Sequence, residues 1–307
     1  MYNPEDAYFK LIGKEKNIYE LATLFPQNRR DVGEYVQLLK DPKSEEEVLV
    51  KGNKIISSTK EYPITDNVAD FSDTSNNSDE WKKLNKQFLN YHKSLNVYEM
   101  INSMPIINYL SLKTGLGFVK NIKVLDVGGG TGHAFSSFFQ YPETIEYFLL
   151  DPNLRLLHDQ FIRMFPKLSY LKMAHILANA EALPIKNNSF DMVLSLAAID
   201  HLNDYKKFIA EAYRVLIKGG TFFVSSHLDQ PESLEDKTKL KSKLFSYSFW
   251  ERVARYLYYR KYKVGSDDHT LHLKDEIPIE QELIKTGFII EKKEVFKRNF
   301  YFVGVKQ

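Results

Sequence analysis

The sequence contains no cysteine, which removes disulfides, thiolate zinc sites and cysteine nucleophiles from consideration. It has no apolar run approaching the ~18 residues a helix needs to cross a bilayer. Charge of either sign is nearly balanced: 42 Lys and Arg against 40 Asp and Glu leave a net +2. That is too little to mark a nucleic-acid or membrane footprint, so neither is expected as a partner. The opening MYNPEDAYFK lacks the basic start and apolar core of a secretory signal, and a cytoplasmic protein is the expectation.

What is present is core-forming material. Hydrophobic residues make up 43% of the 307 and aromatics 14%, with 19 Tyr and 21 Phe, which fits a globular chain rather than a disordered one. Ile18, Leu21 and Leu24, then Val32, Val36 and Leu39, recur at helical spacing. VLV at 48–50 and KIIS at 54–57 flank Lys51-Gly52-Asn53 and read as a small hairpin. The polar, aperiodic FSDTSNNSDE at 71–80 reads as a linker. The expected division is a small α+β accessory module over 1–78 and a second domain over 79–307.

The second part begins with an amphipathic stretch carrying Leu84, Phe88, Tyr91, Leu95 and Tyr98, a lead-in helix. Buried-strand patterns follow at 122–127, 145–150, 191–197 and 221–227, with helical patterns at 155–164 and 204–216 between them. Strands alternating with helices predict an α/β, doubly wound parallel sheet. GFIIEKKEVF and NFYFVGVK near the end are separated by too few residues for a crossover helix, so the last two strands must pair antiparallel.

Directly after the first of these strands stands Asp126-Val127-Gly128-Gly129-Gly130-Thr131-Gly132. Glycines there let the backbone turn tightly and approach a ligand, at the carboxyl ends of the strands where open α/β sheets bind them. The register excludes a dinucleotide fingerprint, because the sixth position is His133 counted from Gly128 and Phe135 counted from Gly130, where Gly or Ala is needed. No Gly-Lys-Ser/Thr follows, so it is not a Walker loop. An acid two residues before the first glycine would repel a pyrophosphate but suits a ligand with a sulfonium and an ammonium. A second acid, Asp151, ends FLLD at a spacing near the ~20 residues of a ribose-binding carboxylate. Alone, Asp151-Pro152-Asn153 would read as a turn and a helix start.

These residues resemble the class I S-adenosylmethionine-dependent methyltransferases over about 81–307. VLDVGGGTG looks like the family's cofactor loop, FLLDPN its ribose-binding strand end, and AYRVLIKGGTFFVSS its helix, Gly-Gly turn and fifth strand. The resemblance implies a Rossmann-like sheet of order 3-2-1-4-5-7-6 with strand 7 antiparallel. It implies S-adenosylmethionine as cofactor, contacted by Asp126, Gly128, Gly130, Gly132, Asp151, Asn179, Ala180 and Leu196. Ala197 would join Leu196 beside the methionine part. Asn179 stands where the family usually has Asp, and its amide oxygen still accepts a hydrogen bond from adenine. LVKGNKIISSTKEYPITDNVADF is similar to a zinc-ribbon module that accompanies some methyltransferases, here without its cysteines.

Methyl transfer needs positioning above all, and a base only when the acceptor must lose a proton. Asp200 and His201, after the fourth strand, are the catalytic candidates; helix capping by His201 and solvation of Asp200 are the alternatives. Asp267-Asp268-His269-Thr270-Leu271-His272 reads as loop rather than metal site, and the basic, aromatic 239–263 as an amphipathic lid helix. No metal is expected. The expected activity is methylation of oxygen or nitrogen on a small-molecule or sugar-type acceptor, with a homodimer as one allowed assembly. The competing reading is a scaffold that kept the fold and the cofactor and lost transfer, given Asn179 and the cysteine-free module.

Overall fold

The computed structural model describes residues 29–72, 107, 109–130, 132, 135, 138–152, 172–229, 271–296 and 298–307. Among the described residues, eleven strands form one mixed sheet. They are β1 (Leu49–Lys51), β2 (Lys54–Ile56), β3 (Glu61–Thr65), β4 (Val68–Asp70), β5 (Ile122–Val127), β6 (Ile145–Leu150), β7 (Ala174–Leu177), β8 (Phe190–Leu196), β9 (Leu216–His227), β10 (Phe288–Phe296) and β11 (Asn299–Lys306). Their order is β1-β2-β3-β4-β7-β6-β5-β8-β9-β11-β10. From β4 through β9 neighbouring strands run parallel, while β11 is antiparallel to both β9 and β10.

The parallel strands are unbroken apolar runs because both faces are covered. One face packs Leu125, Val127, Phe148, Val193, Phe222 and Phe302 against the helices. The other packs Val124, Tyr147, Leu149, Leu194 and Phe223 against Phe135, Phe138 and Phe139. Helix α1 (Tyr205–Val215) starts where Asp204 accepts the Lys206 and Lys207 amides at 3.1 and 3.2 Å, an N-cap. It buries Phe208, Ile209, Ala212 and Val215, the 3.6-residue stripe of a core-facing helix. Helix α2 (Ile277–Thr286) buries Ile279 and Leu283 beside it. The lead-in helix, the 155–164 helix, the 239–263 stretch, the 15–25 helix and the 78/79 boundary lie outside the described residues.

Residues 31–40 do not form the α-helix that their spacing predicts. Two 3-10 turns, Val32–Glu34 and Val36–Leu38, take its place. The backbone groups that a helix would use point outward instead: the Lys40 amide bonds the Pro184 carbonyl at 3.1 Å, and the Leu38 carbonyl takes the Lys186 amide at 2.8 Å. Val32, Tyr35 and Leu39 are still buried, so the apolar spacing records a packed face and not a helix.

One strand pairing was not legible beforehand. Strand β7 and its parallel partner β4 join the N-terminal strands to the main sheet, with Val68, Ala69 and Asp70 beside His175, Ile176 and Leu177. The Tyr35 hydroxyl adds a bond to the His175 carbonyl at 3.1 Å. Full burial of Val32, Leu39 and Ile55 stabilises this junction by about 1.5–3 kcal/mol per side chain.

The hairpin region is knitted by a buried carboxylate. Asp41 accepts the Lys43 and Ser44 amides at 2.8 and 3.1 Å and the Ser57 hydroxyl at 2.7 Å. Burial pushes the Asp41 carboxyl up, but Ser57, these amides and Tyr62 outweigh it and hold the carboxyl below its ordinary value. Asp41 therefore contributes stability above the ordinary carboxylate range, lost as pH falls through its depressed value. Asp41→Asn should lower stability by about 1–2 kcal/mol near neutral pH, since bonds to a charged acceptor exceed neutral ones by about that much. Urea unfolding at pH near 7 and near 3 checks this; the gap between wild type and variant should shrink at the lower pH.

Candidate cofactor site

The strand registers gather the predicted residues at one edge. Asp126 lies beside Leu149 of β6 and Leu194 of β8, and Leu150 beside Ile176 of β7. The glycine loop, Asp151, Asn179 and Leu196 thus leave the carboxyl ends of four adjacent parallel strands, where open α/β sheets bind ligands.

The loop is fixed by its own backbone and by β6. The Gly128 amide bonds the Leu150 carbonyl at 2.8 Å, Gly132 bonds Gly129 at 2.9 Å, and the Gly130 amide donates to Asp151 Oδ2 at 3.1 Å. Gly128 has φ +72°, and a Cβ on it would overlap the Ala198 methyl. A Cβ on Gly129 would run into the Asp126 carboxylate and Leu149. Close approach and a left-handed φ are thus what these glycines supply.

Asp126 lies beneath the loop rather than on its open side. Its carboxyl is fully buried on the same face as Tyr147, whose hydroxyl donates to Oδ2. Oδ1 has no hydrogen-bond partner among the described residues. Burial pushes the Asp126 carboxyl up to about 7, with Tyr147 offsetting part of the rise and Asp151 adding to it. No lysine or arginine among the described residues acts on it.

The adenine-side loop is braced from three directions. Asn179 is exposed and Ala180 buried. Arg214 of α1 donates to the Leu183 and Ile185 carbonyls at 3.1 and 2.6 Å, and Glu211 accepts the Leu183 amide at 2.8 Å. Glu181 accepts the Asn203 and Asp204 amides at 2.9 and 3.3 Å, tying this loop to the one after β8. The N-terminal segment holds Pro184 and Lys186 by the two backbone bonds already described.

On the other side, Leu196 is half-buried and Ala197 exposed. Asp200 and His201 close a 3-10 turn, Ile199–His201, in which Asp200 is buried and His201 half-buried. The Asp200 carbonyl takes the Leu271 amide at 2.9 Å, and the Asp229 amide reaches the Leu273 carbonyl at 2.6 Å. Between them, His272 Nδ1 lies 2.8 Å from Asp229 Oδ2. Residues 267–270 lie outside the described residues. Among the described residues no group of three or more His, Cys, Asp or Glu could hold a metal, and no helix is long and apolar enough to cross a membrane.

Sequence reasoning missed Tyr147, Glu181 and Arg214, and it singled out His272 without its partner Asp229. Tyr147 sits inside IEYFLL, where it reads as one more buried aromatic. Only the register that sets β6 against β5 reveals its partner.

The Asp126 carboxyl under the glycine floor and the Asp151 carboxylate beside it fit a cationic, phosphate-free nucleoside and would repel a diphosphate. The orphan oxygen of Asp126 marks where positive charge is lacking. Asp151 and the loop amides would hold the ribose end, Asn179 and Ala180 the adenine, and Leu196 the methionine end. S-adenosylmethionine would supply an already activated methyl group there.

Comparison with known proteins agrees. A family model described as a methyltransferase domain matches residues 125–224. The ubiquinone/menaquinone biosynthesis C-methyltransferase UbiE of Psychromonas ingrahamii is 32% identical over 109 residues, 35% of this chain and 43% of that protein. Ajmaline N-methyltransferase of Rauvolfia serpentina is 34% identical over 67 residues, 22% of this chain and 23% of that protein. The chain therefore spans less than half the length of these relatives. The crystal structure of the PH0226 protein of Pyrococcus horikoshii OT3 matches with a TM-score of 0.50 and 18% identity, over 73% of this chain and 99% of that one, which is a likeness of fold. Family model, sheet and glycine loop thus agree on a methyltransferase domain over residues 125–224, similar to the class I S-adenosylmethionine-dependent methyltransferases.

Proposed function

We propose that the protein transfers the methyl group of S-adenosylmethionine to oxygen or nitrogen of a small-molecule or sugar-type acceptor. The observation that carries the reading is the glycine floor between Asp126 and Asp151, with no cation among the described residues acting on Asp126. His201, half-buried in the loop after β8, is the proposed base for an acceptor that must shed a proton. The buried Asp200 anchors the turn that presents it. The family's sheet order, 3-2-1-4-5-7-6, supports the same assignment, and residues 1–78 are proposed as an accessory unit bracing the adenine-side loop of 79–307.

The relatives named above are a C-methyltransferase and an N-methyltransferase, and the family-model match ends at residue 224. Carbon acceptors therefore belong in the screen. Calorimetry with S-adenosylmethionine and S-adenosylhomocysteine tests the first half of the proposal: both should bind, and failure of both would end it. Incubation with labelled cofactor and a panel of hydroxyl, amine and quinol acceptors tests the second. Tight cofactor binding with no labelled product from any class would favour the scaffold reading, to which Asn179 also points.

A further inference from the structure

We propose that Tyr147 is a positioning residue that holds the Asp126 carboxyl beneath the glycine loop, so that arrival of the cationic cofactor drives a proton off Asp126. The inference rests on the S-adenosylmethionine reading of the site and goes beyond it, because it makes cofactor binding a proton-linked event.

The geometry is that of a carboxyl placed in an aromatic layer. Asp126 shares its face of the sheet with Val124, Tyr147 and Leu149, under Phe135, Phe138 and Phe139. The Tyr147 ring stacks on Phe135 at 4.4 Å between centroids and meets Phe139 edge-on at 6.2 Å, so its hydroxyl has one place to be. Among the described residues that hydroxyl is the single donor to Asp126, and Oδ1 is left without a partner. A buried charge so poorly solvated is costly, and it keeps its proton until a positive charge comes near.

The titratable groups that bear on Asp126 are Tyr147 on β6 and Asp151 at the tip of β6. Asp151 carries the same sign and opposes ionisation. Burial and Asp126 itself hold the Tyr147 proton well above the ordinary phenol range. Asp126 is therefore the member of the pair that titrates, from about 7 in the free protein.

The signs follow. Free protein retains the Asp126 proton below about 7, so this group's contribution to folding stability is lost as pH rises through that value. Cofactor affinity runs the other way, rising up to about tenfold per pH unit below 7 and levelling off above it.

Calorimetric titration of the full chain with S-adenosylmethionine, in buffers of different ionisation heat, counts the protons released. Wild type should release close to one proton near pH 6 and almost none near pH 8. Asp126→Asn should bind with that release abolished. Tyr147→Phe keeps the ring stacked and removes the hydroxyl that favours the carboxylate; its release profile should move to higher pH, with affinity at neutral pH about three- to tenfold weaker. Should Asp126→Asn fail to fold, Tyr147→Phe carries the test alone. Binding without a released proton, or a Tyr147→Phe profile superimposed on wild type, overturns the inference and leaves the cofactor reading standing. Absence of any binding in wild type removes both.

Discussion

Gly128→Ala is expected to weaken S-adenosylmethionine binding and loop stability together by about 2–5 kcal/mol. Two costs add. At φ +72° a residue with a Cβ costs about 1–2 kcal/mol. The new methyl also overlaps Ala198, and forcing a methyl into a filled space costs about 1–3 kcal/mol more. The two are separable, because Ala198→Gly removes the obstacle without changing the φ. The double variant Gly128→Ala with Ala198→Gly should therefore recover the steric share and no more. Calorimetric affinities of the single and double variants, beside their melting temperatures, give the cycle. A Gly128→Ala protein binding as tightly as wild type would mean that the loop does not take this course.

Asp151→Ala should cost about 1.5–3 kcal/mol of cofactor affinity, the range for hydrogen bonds to a charged group, or roughly tenfold to a hundredfold in Kd. Part of that loss belongs to the protein itself, since Asp151 already accepts the Gly130 amide at 3.1 Å. The remainder belongs to the ribose hydroxyls if the carboxylate reaches them as proposed. A cofactor analogue lacking those hydroxyls distinguishes the shares: it should bind wild type more weakly, yet bind Asp151→Ala as well as the natural cofactor does. Equal penalties in both proteins would leave Asp151 a brace for the loop only.

Much of the central fold is legible from local pattern. Parallel strands covered on both faces must be unbroken apolar runs, so β5, β6 and most of β8 stand out as IKVLDV, IEYFLL and DMVLSLA, and TFFVSSH marks the second half of β9, which begins earlier, at Leu216. Helix α1 is announced by Asp204 and its buried stripe. The final hairpin follows from a connection too short for anything else. The glycine loop was readable because its chemistry is written in consecutive residues.

What failed was whatever depends on a partner far along the chain. AHIL of β7 is four residues with a buried histidine and carries too little pattern to mark a strand. Its neighbour β4 is shorter still, and the Tyr35 contact across this junction joins residues 140 apart. The 31–40 segment has helical spacing but forms two 3-10 turns and gives the Leu38 carbonyl and Lys40 amide to residues 186 and 184, where tertiary pairing overrode propensity.

Asp126 shows the division most clearly. The amino-acid sequence by itself determined that an acid would precede three glycines at a strand end, and with it which class of ligand suits the loop. Only the tertiary structure decided that this acid lies under the loop, bound by Tyr147 and screened from water. A strand's alternation says which residues share a face, but register against the next strand says what they meet there. Burial, and with it the affinity of a carboxyl for its proton, is set by those neighbours.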